Sequence, residues 1–244
     1  MTRWKASGIH FSISLMIGIF AFCLLYFVYY PQPYFEPAGA GKLVLILLSV
    51  DVVLGPLLTL VVFKSGKKSL KSDLSVIAAV QMAALLYGLH IMWVARPVFV
   101  VASVDRFELV YAGNITDKAF AASTFPEFSK ESLTGPVLAV VRRPKPEENA
   151  EVMGITQAGS DLHLHPRYFV QATPAALATF WARAKQIKNL PVNAREMAEA
   201  YMKAHGIDAK LVAMPLKGRV EQYTVLVDQN TNKIVTALEV SAWD

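Results

Sequence analysis

Residues 43–63 read Leu43-Val-Leu-Ile-Leu-Leu-Ser-Val-Asp51-Val-Val-Leu-Gly55-Pro56-Leu-Leu-Thr-Leu-Val-Val-Phe63. A helix of this length rises about 31 Å at 1.5 Å per residue, which matches a hydrocarbon core of about 30 Å. Only Asp51 is ionisable. No soluble core needs so long an unbroken apolar run, so the stretch predicts a membrane-spanning helix.

The same pattern recurs on either side. Ile9–Tyr30 is apolar except for His10 and a few serines, and Leu74–Ala95 carries only Gln81 and His90 as strongly polar members. Aromatic residues stand where the interfaces would fall: Trp4, Tyr29, Tyr30, Tyr34, Phe35 and Trp93. The first run is too long for a signal-peptide core, and Tyr-Tyr-Pro-Gln-Pro-Tyr follows it in place of a small-residue cleavage site, so it reads as a retained helix. The expected architecture is a three-helix transmembrane domain over residues 1–96 and a soluble domain over 97–244. Composition agrees: the chain is 54% hydrophobic and 18% charged, against about 25% charged in an ordinary soluble domain.

Charge sets the expected orientation. Arg3, Lys5, Lys64, Lys67, Lys68 and Lys71 fall on one side of the membrane, whereas the loop from Pro31 to Lys42 holds one Lys and one Glu. By the positive-inside rule the N-terminus and the lysine loop are cytoplasmic, and everything after Arg96 lies outside, in the periplasm of a bacterium. The net charge of +5 has no basic patch interleaved with aromatics behind it, so no nucleic-acid partner is expected. Cys23 is the single cysteine, which excludes an intramolecular disulfide.

Asp51 is the most unusual residue of the apolar part. A charged Asp inside the bilayer costs about 2.5–3.5 kcal/mol on insertion scales, so it must face protein or water or carry a proton. One reading is a contact point for a partner's helix or a proton site. The other is a hydrogen bond within its own bundle, to Gln81, Ser49 or His90. Gly55 and Pro56 should loosen or kink the same helix, which makes Asp51, Gly55 and Pro56 the candidate partner-binding residues.

Beyond Pro97 the pattern is that of an α+β domain with a mainly antiparallel sheet and a helix pair. Strands are expected at Val98–Val101, Phe107–Tyr111, Val137–Val141, Leu211–Met214, Val220–Val227 and Ile234–Val240, with a turn at Asp228–Lys233 joining the last two as a hairpin. Thr173-Pro174 starts a helix expected to reach Lys188; Asn193 and Glu196 resemble a capping box for a second helix that Gly206 closes.

Catalytic signatures are missing. There is no G-x-S-x-G, Walker, G-x-G-x-x-G or H-E-x-x-H motif. Asp161-Leu-His163-Leu-His165 puts two histidines on one face of an extended segment, but a metal would need Asp161 and His205 as further ligands, and a pair of surface histidines is the simpler reading. No metal, cofactor, small-molecule substrate or enzymatic activity is expected. A membrane-anchored sensor would need a cytoplasmic output larger than a loop of about ten residues, and an anchored enzyme would need only one helix.

Several segments together carry a resemblance. Met1-Thr-Arg-Trp-Lys-Ala-Ser-Gly-Ile-His10, Tyr30-Pro-Gln-Pro-Tyr-Phe35, Asp51-Val-Val-Leu-Gly-Pro-Leu-Leu-Thr-Leu60 and Lys67-Lys-Ser-Leu-Lys-Ser-Asp73 are similar to the type IV pilin accessory proteins of the TfpX/TfpZ type. Arg96-Pro97, Asp105-Arg106-Phe107-Glu108, Leu226-Val-Asp228 and Asn232-Lys233 continue the likeness. The resemblance implies an inner-membrane protein paired with a particular major type IV pilin, acting as a chaperone or assembly factor, and it carries over no catalytic residues.

Overall fold

The computed structural model describes residues 2–207, 210–219 and 222–241. The chain divides into two compact units, one of Met1–Tyr29 with Ala40–Ala95, the other of Tyr30–Gly39 with Arg96–Asp244.

The first unit holds three helices long and apolar enough to cross a membrane: Arg3–Tyr29, Ala40–Val62 and Leu70–Val94. The first is α1 (Arg3–Leu24), capped by the Thr2 hydroxyl, which accepts from the Lys5 N–H, and extended by a wide π turn at Leu25–Tyr29. The second is α2 (Ala40–Ser49), a π turn at Val50–Leu54, and α3 (Gly55–Val62). Pro56 has no N–H to offer the carbonyl four residues back. The wide turn directly before it absorbs that lost bond, so the expected loosening takes the form of a π turn within a continuous helix. The third is α4 (Leu70–Val94).

Small residues let these helices approach. A Cβ on Gly18 would stand 3.1 Å from Leu48 Cδ2, and one on Gly88 would stand 2.3 Å from Leu47 Cδ1.

The second unit is built on an eight-stranded sheet of order β4-β3-β1-β2-β6-β7-β8, with β5 also on β6. Its strands are β1 (Pro97–Ser103), β2 (Arg106–Tyr111), β3 (Val137–Val141), β4 (Phe169–Gln171), β5 (Lys185–Gln186), β6 (Leu211–Lys217), β7 (Gln222–Asp228) and β8 (Lys233–Leu238). Its helices are α5 (Asp117–Ala121), α6 (Asn149–Gln157), α7 (Pro174–Trp181) and α8 (Val192–Ala204). The expectation of a mainly antiparallel sheet is corrected here: the sheet is mixed. β1 pairs parallel with β3, and β2 pairs parallel with β6, at the heart of the sheet. Hairpin signals report only neighbours joined by a tight turn; parallel pairs join strands separated by long connections and leave no local mark.

The β1–β2 hairpin is buried on both faces. On one face Phe99 meets the rings of Phe120, Phe128 and Phe169 at 5.4–6.1 Å between centroids. On the other, Phe107 stands opposite Ala102 and packs edge-on to Phe180 of α7 at 4.9 Å. Both faces being covered explains why β1 is an unbroken apolar run. Farther along the sheet, Ala194 and Ala198 of α8 pack with Leu211, Ala213, Leu226 and Leu238.

Several expected boundaries move. α7 stops at Trp181 rather than Lys188, because Lys185 and Gln186 pair with Ala213 and Val212 of β6. Asn193 caps nothing: α8 starts behind Pro191 with no side-chain cap. Gly206 does close that helix at φ +61°, with the Ile207 N–H on the Met202 carbonyl. The β7–β8 hairpin forms, with Asp228 accepting from Asn230 N–H and Thr231 Oγ1 at 2.9 Å each. The expected strand start at Val220 lies outside the described residues.

The Pro-rich segment 30–39 belongs to the second unit, where a simple loop between helices was expected. Tyr30, Phe35 and Ala38 are buried. The Arg219 N–H donates to the Pro37 carbonyl at 2.9 Å, and Gly218 lies directly against Pro37. The Arg219 guanidinium stands 4.3 Å above the Tyr111 ring. Burial pushes the phenols of Tyr34 and Tyr111 up to about 12, so both stay neutral at any physiological pH.

Candidate functional site

The candidate residues of the second helix gather inside the helical unit. Asp51, Gly55, Pro56 and Thr59 are all buried. Their neighbours come from a polar stripe on α1, where Ser7, His10 and Ser14 recur at helical spacing on one face. The Ser7 hydroxyl donates to the Pro56 carbonyl at 2.8 Å, and His10 Nδ1 is hydrogen-bonded to Thr59 Oγ1 at 2.5 Å.

Gln81 of α4 completes the arrangement. Its amide nitrogen donates to the main-chain carbonyl of Asp51 at 3.2 Å. Gly55 makes room for it: a Cβ there would fall 2.0 Å from Gln81 Nε2. Gln81 therefore lies on bare helix backbone and is the in-bundle partner expected for Asp51, bonding its main-chain carbonyl and interacting with its carboxylate as well. Ser49 turns instead to the Ile46 carbonyl at 2.9 Å, and His90 is exposed.

Two acceptors stay unmatched. Asp51 Oδ1 and Gln81 Oε1 are buried without a hydrogen-bond partner among the described residues. Both residues line one cavity of about 180 Å³ with His10, Ser14, Ala78 and Met82. A buried acceptor without a donor costs about 1–3 kcal/mol. The two oxygens leave this cavity with hydrogen-bonding capacity that the described residues do not fill.

Arg3, Lys5, Lys64, Lys67, Lys68 and Lys71 are all exposed, and Lys67 Nζ pairs with Asp73 at 2.6 Å. In the second unit, His165 Nε2 is 3.0 Å from Ser160 Oγ, and burial lowers the basicity of both His163 and His165. No cluster of three or more His, Cys, Asp or Glu side chains suited to a metal occurs among the described residues.

The sequence signalled Asp51 and Gly55 as anomalies and offered Gln81 as a partner, but not the neighbours on α1. The Ser7-His10-Ser14 spacing carried the missing signal: polar groups at i, i+3 and i+7 of an apolar helix must face protein.

Known proteins supply the remaining observation. The sequence model of the family described as "Fimbrial assembly protein FimB" matches residues 1–39. Two proteins of Dichelobacter nodosus are similar along the whole length. The fimbrial assembly protein of serogroup I is 33% identical, covering 98% of this chain and 96% of its own. The fimbrial assembly protein of serogroup E1 is 32% identical over the same shares. A third, from serogroups C1 and C2, is 39% identical over 46% of this chain. No solved structure matches. Relatedness at this level, end to end, leaves one assignment: the chain belongs to the family of fimbrial assembly proteins.

Proposed function

We propose that this protein is an inner-membrane accessory factor of type IV pilus biogenesis that binds its cognate major pilin as a chaperone or assembly factor. The observation that carries the reading is the end-to-end similarity to fimbrial assembly proteins. The three apolar helices support a multi-pass membrane protein, and the excess of Lys and Arg on one side supports a cytoplasmic N-terminus and a periplasmic sheet domain. The role is non-catalytic: the work is recognition of a subunit before or during assembly.

A pilin awaiting assembly is held in the membrane by one long apolar helix, with a folded head outside. The second helix offers such a client a groove rather than a flat face. Asp51, Gly55 and Pro56 point inward, and the cavity that Asp51 shares with Gln81 is flanked by α1 and α4. A polar side chain of the pilin helix that enters between α1 and α4 meets two waiting acceptors, Asp51 Oδ1 and Gln81 Oε1. Gly55 keeps Gln81 in place to receive it.

The test is co-purification of the cognate major pilin with the wild-type protein and with Asp51→Ala and Gly55→Leu. Capture should fall several-fold in both variants. Undiminished capture by both removes the helix contact, and no capture by the wild type removes the pilin partner itself.

A further inference from the structure

The sheet domain gathers three arginines on one concave surface. A cavity of about 420 Å³ opens there beside α7. Its wall is apolar, from Ala102, Val140, Leu162, Ala176 and Phe180. Its charged lining comes from Arg142, Arg143 and Arg183, with no acidic residue among the lining side chains. The volume falls in the range of true ligand sites, about 300–1,000 Å³.

The three arginines differ. Arg142 is fixed: its two terminal nitrogens meet the two carboxylate oxygens of Glu148 at 2.7 Å each, and its guanidinium stands 5.1 Å above the Tyr168 ring. Arg143 and Arg183 are exposed, and neither guanidinium has a partner among the described residues. They reach the cavity from distant points of the chain, one after β3 and one after α7. Beside them Val104 holds a left-handed backbone at φ +52° with its side chain 71% exposed. That backbone belongs to the two-residue turn between β1 and β2, where a tight hairpin calls for φ > 0.

An apolar floor with two unneutralised guanidinium groups selects an occupant that is apolar and anionic at once. We propose that the cavity takes an acidic peptide segment of the cognate pilin's head, with an apolar side chain on the floor and a neighbouring carboxylate forked by Arg143 and Arg183. This rests on the pilin-binding reading above. Arginine forks match carboxylates in two-point geometry, and arginine is over-represented among the residues that dominate interface energies.

The experiment is capture of the purified cognate pilin by the full-length protein in neutral detergent. Arg143→Glu with Arg183→Glu should cut capture at least tenfold, whereas Arg143→Lys with Arg183→Lys and the distant reversal Lys203→Glu on α8 should keep most of it. Ala176→Phe fills the floor and leaves every charge in place; it should also lose capture. Raising NaCl from 0.1 to 0.5 M should weaken the wild type and leave the double reversal unchanged. Wild-type capture equalled by the double reversal or by Ala176→Phe overturns the cavity proposal and spares the pilin reading. No wild-type capture overturns the pilin reading first. Equal loss in Lys203→Glu overturns the site as nonspecific charge. A difference seen only when phosphatidylglycerol is added assigns the arginines to lipid headgroups, which overturns it too.

Discussion

Gly218→Ala tests whether the Pro-rich segment is part of the sheet domain. A Cβ at Gly218 would stand 2.2 Å from the Pro37 carbonyl oxygen and 2.9 Å from its carbonyl carbon. These are backbone atoms, so no side-chain rotation relieves the clash, and normal contact requires a displacement of about 1 Å. The displacement strains the adjacent bond from Arg219 N–H to Pro37, now 2.9 Å. Overpacking costs about 1–3 kcal/mol, and a lost hydrogen bond adds about 1. The sum, about 2–4 kcal/mol, lowers Tm by roughly 4–16 °C for a domain of this size. A local readout is Ala38→Cys in a Cys23→Ser background, because Ala38 is 1% exposed. Maleimide labelling of the thiol introduced at position 38 should be slow while Gly218 is intact and at least tenfold faster once Gly218→Ala is added. An unchanged Tm and an unchanged labelling rate would refute the packing of residues 30–39 on the end of β6.

Two further outcomes follow from the core and from charge. Phe99→Ala removes the ring on which Phe120, Phe128 and Phe169 converge; it should cost about 3–5 kcal/mol by denaturant titration in detergent, and a loss below about 1 would show that the cluster is not the domain's core. The Arg142 fork and the Lys145 N–H pull the Glu148 carboxyl from 4.5 down to about 2. Its folded pKa is depressed, so its stabilisation is fully present above pH 4.5 and is lost as pH falls toward 2. The Tm gap between wild type and Glu148→Gln should therefore close across that window, and a gap that stays constant contradicts the pairing.

The three helices were legible because length and apolarity alone define them; nothing else in a chain needs so many consecutive apolar residues. The loosening before Pro56 was legible too, but not its π-turn form, which depends on how neighbouring helices fill the space. The parallel pairs of β1 with β3 and β2 with β6 were hidden because each joins segments far apart in sequence. α7 was read too long because apolar spacing continues to Ile187, whereas Lys185 and Gln186 gain more from pairing with β6 than from another helical turn. Of the candidate site, Asp51 announced itself as a charge in an apolar run. The arginine cavity did not: Arg142-Arg143 reads as a strand terminator, and Arg183 arrives from another part of the chain.

The position of β1 also bears on how the sheet domain is made. It is the first strand after α4, yet it lies in the interior of the sheet, between β2 and β3. As synthesis proceeds from the N-terminus, the β1–β2 hairpin closes first, since only two residues separate its strands. It then presents two bare edges. β3 completes one and β6 the other, and both pair parallel. The sheet thus grows outward in both directions from a seed still attached to the last helix. Unpaired strand edges are the usual templates for misassembly; here both edges belong to a hairpin that follows α4 directly in the chain, and each is covered by a later strand of the same sheet.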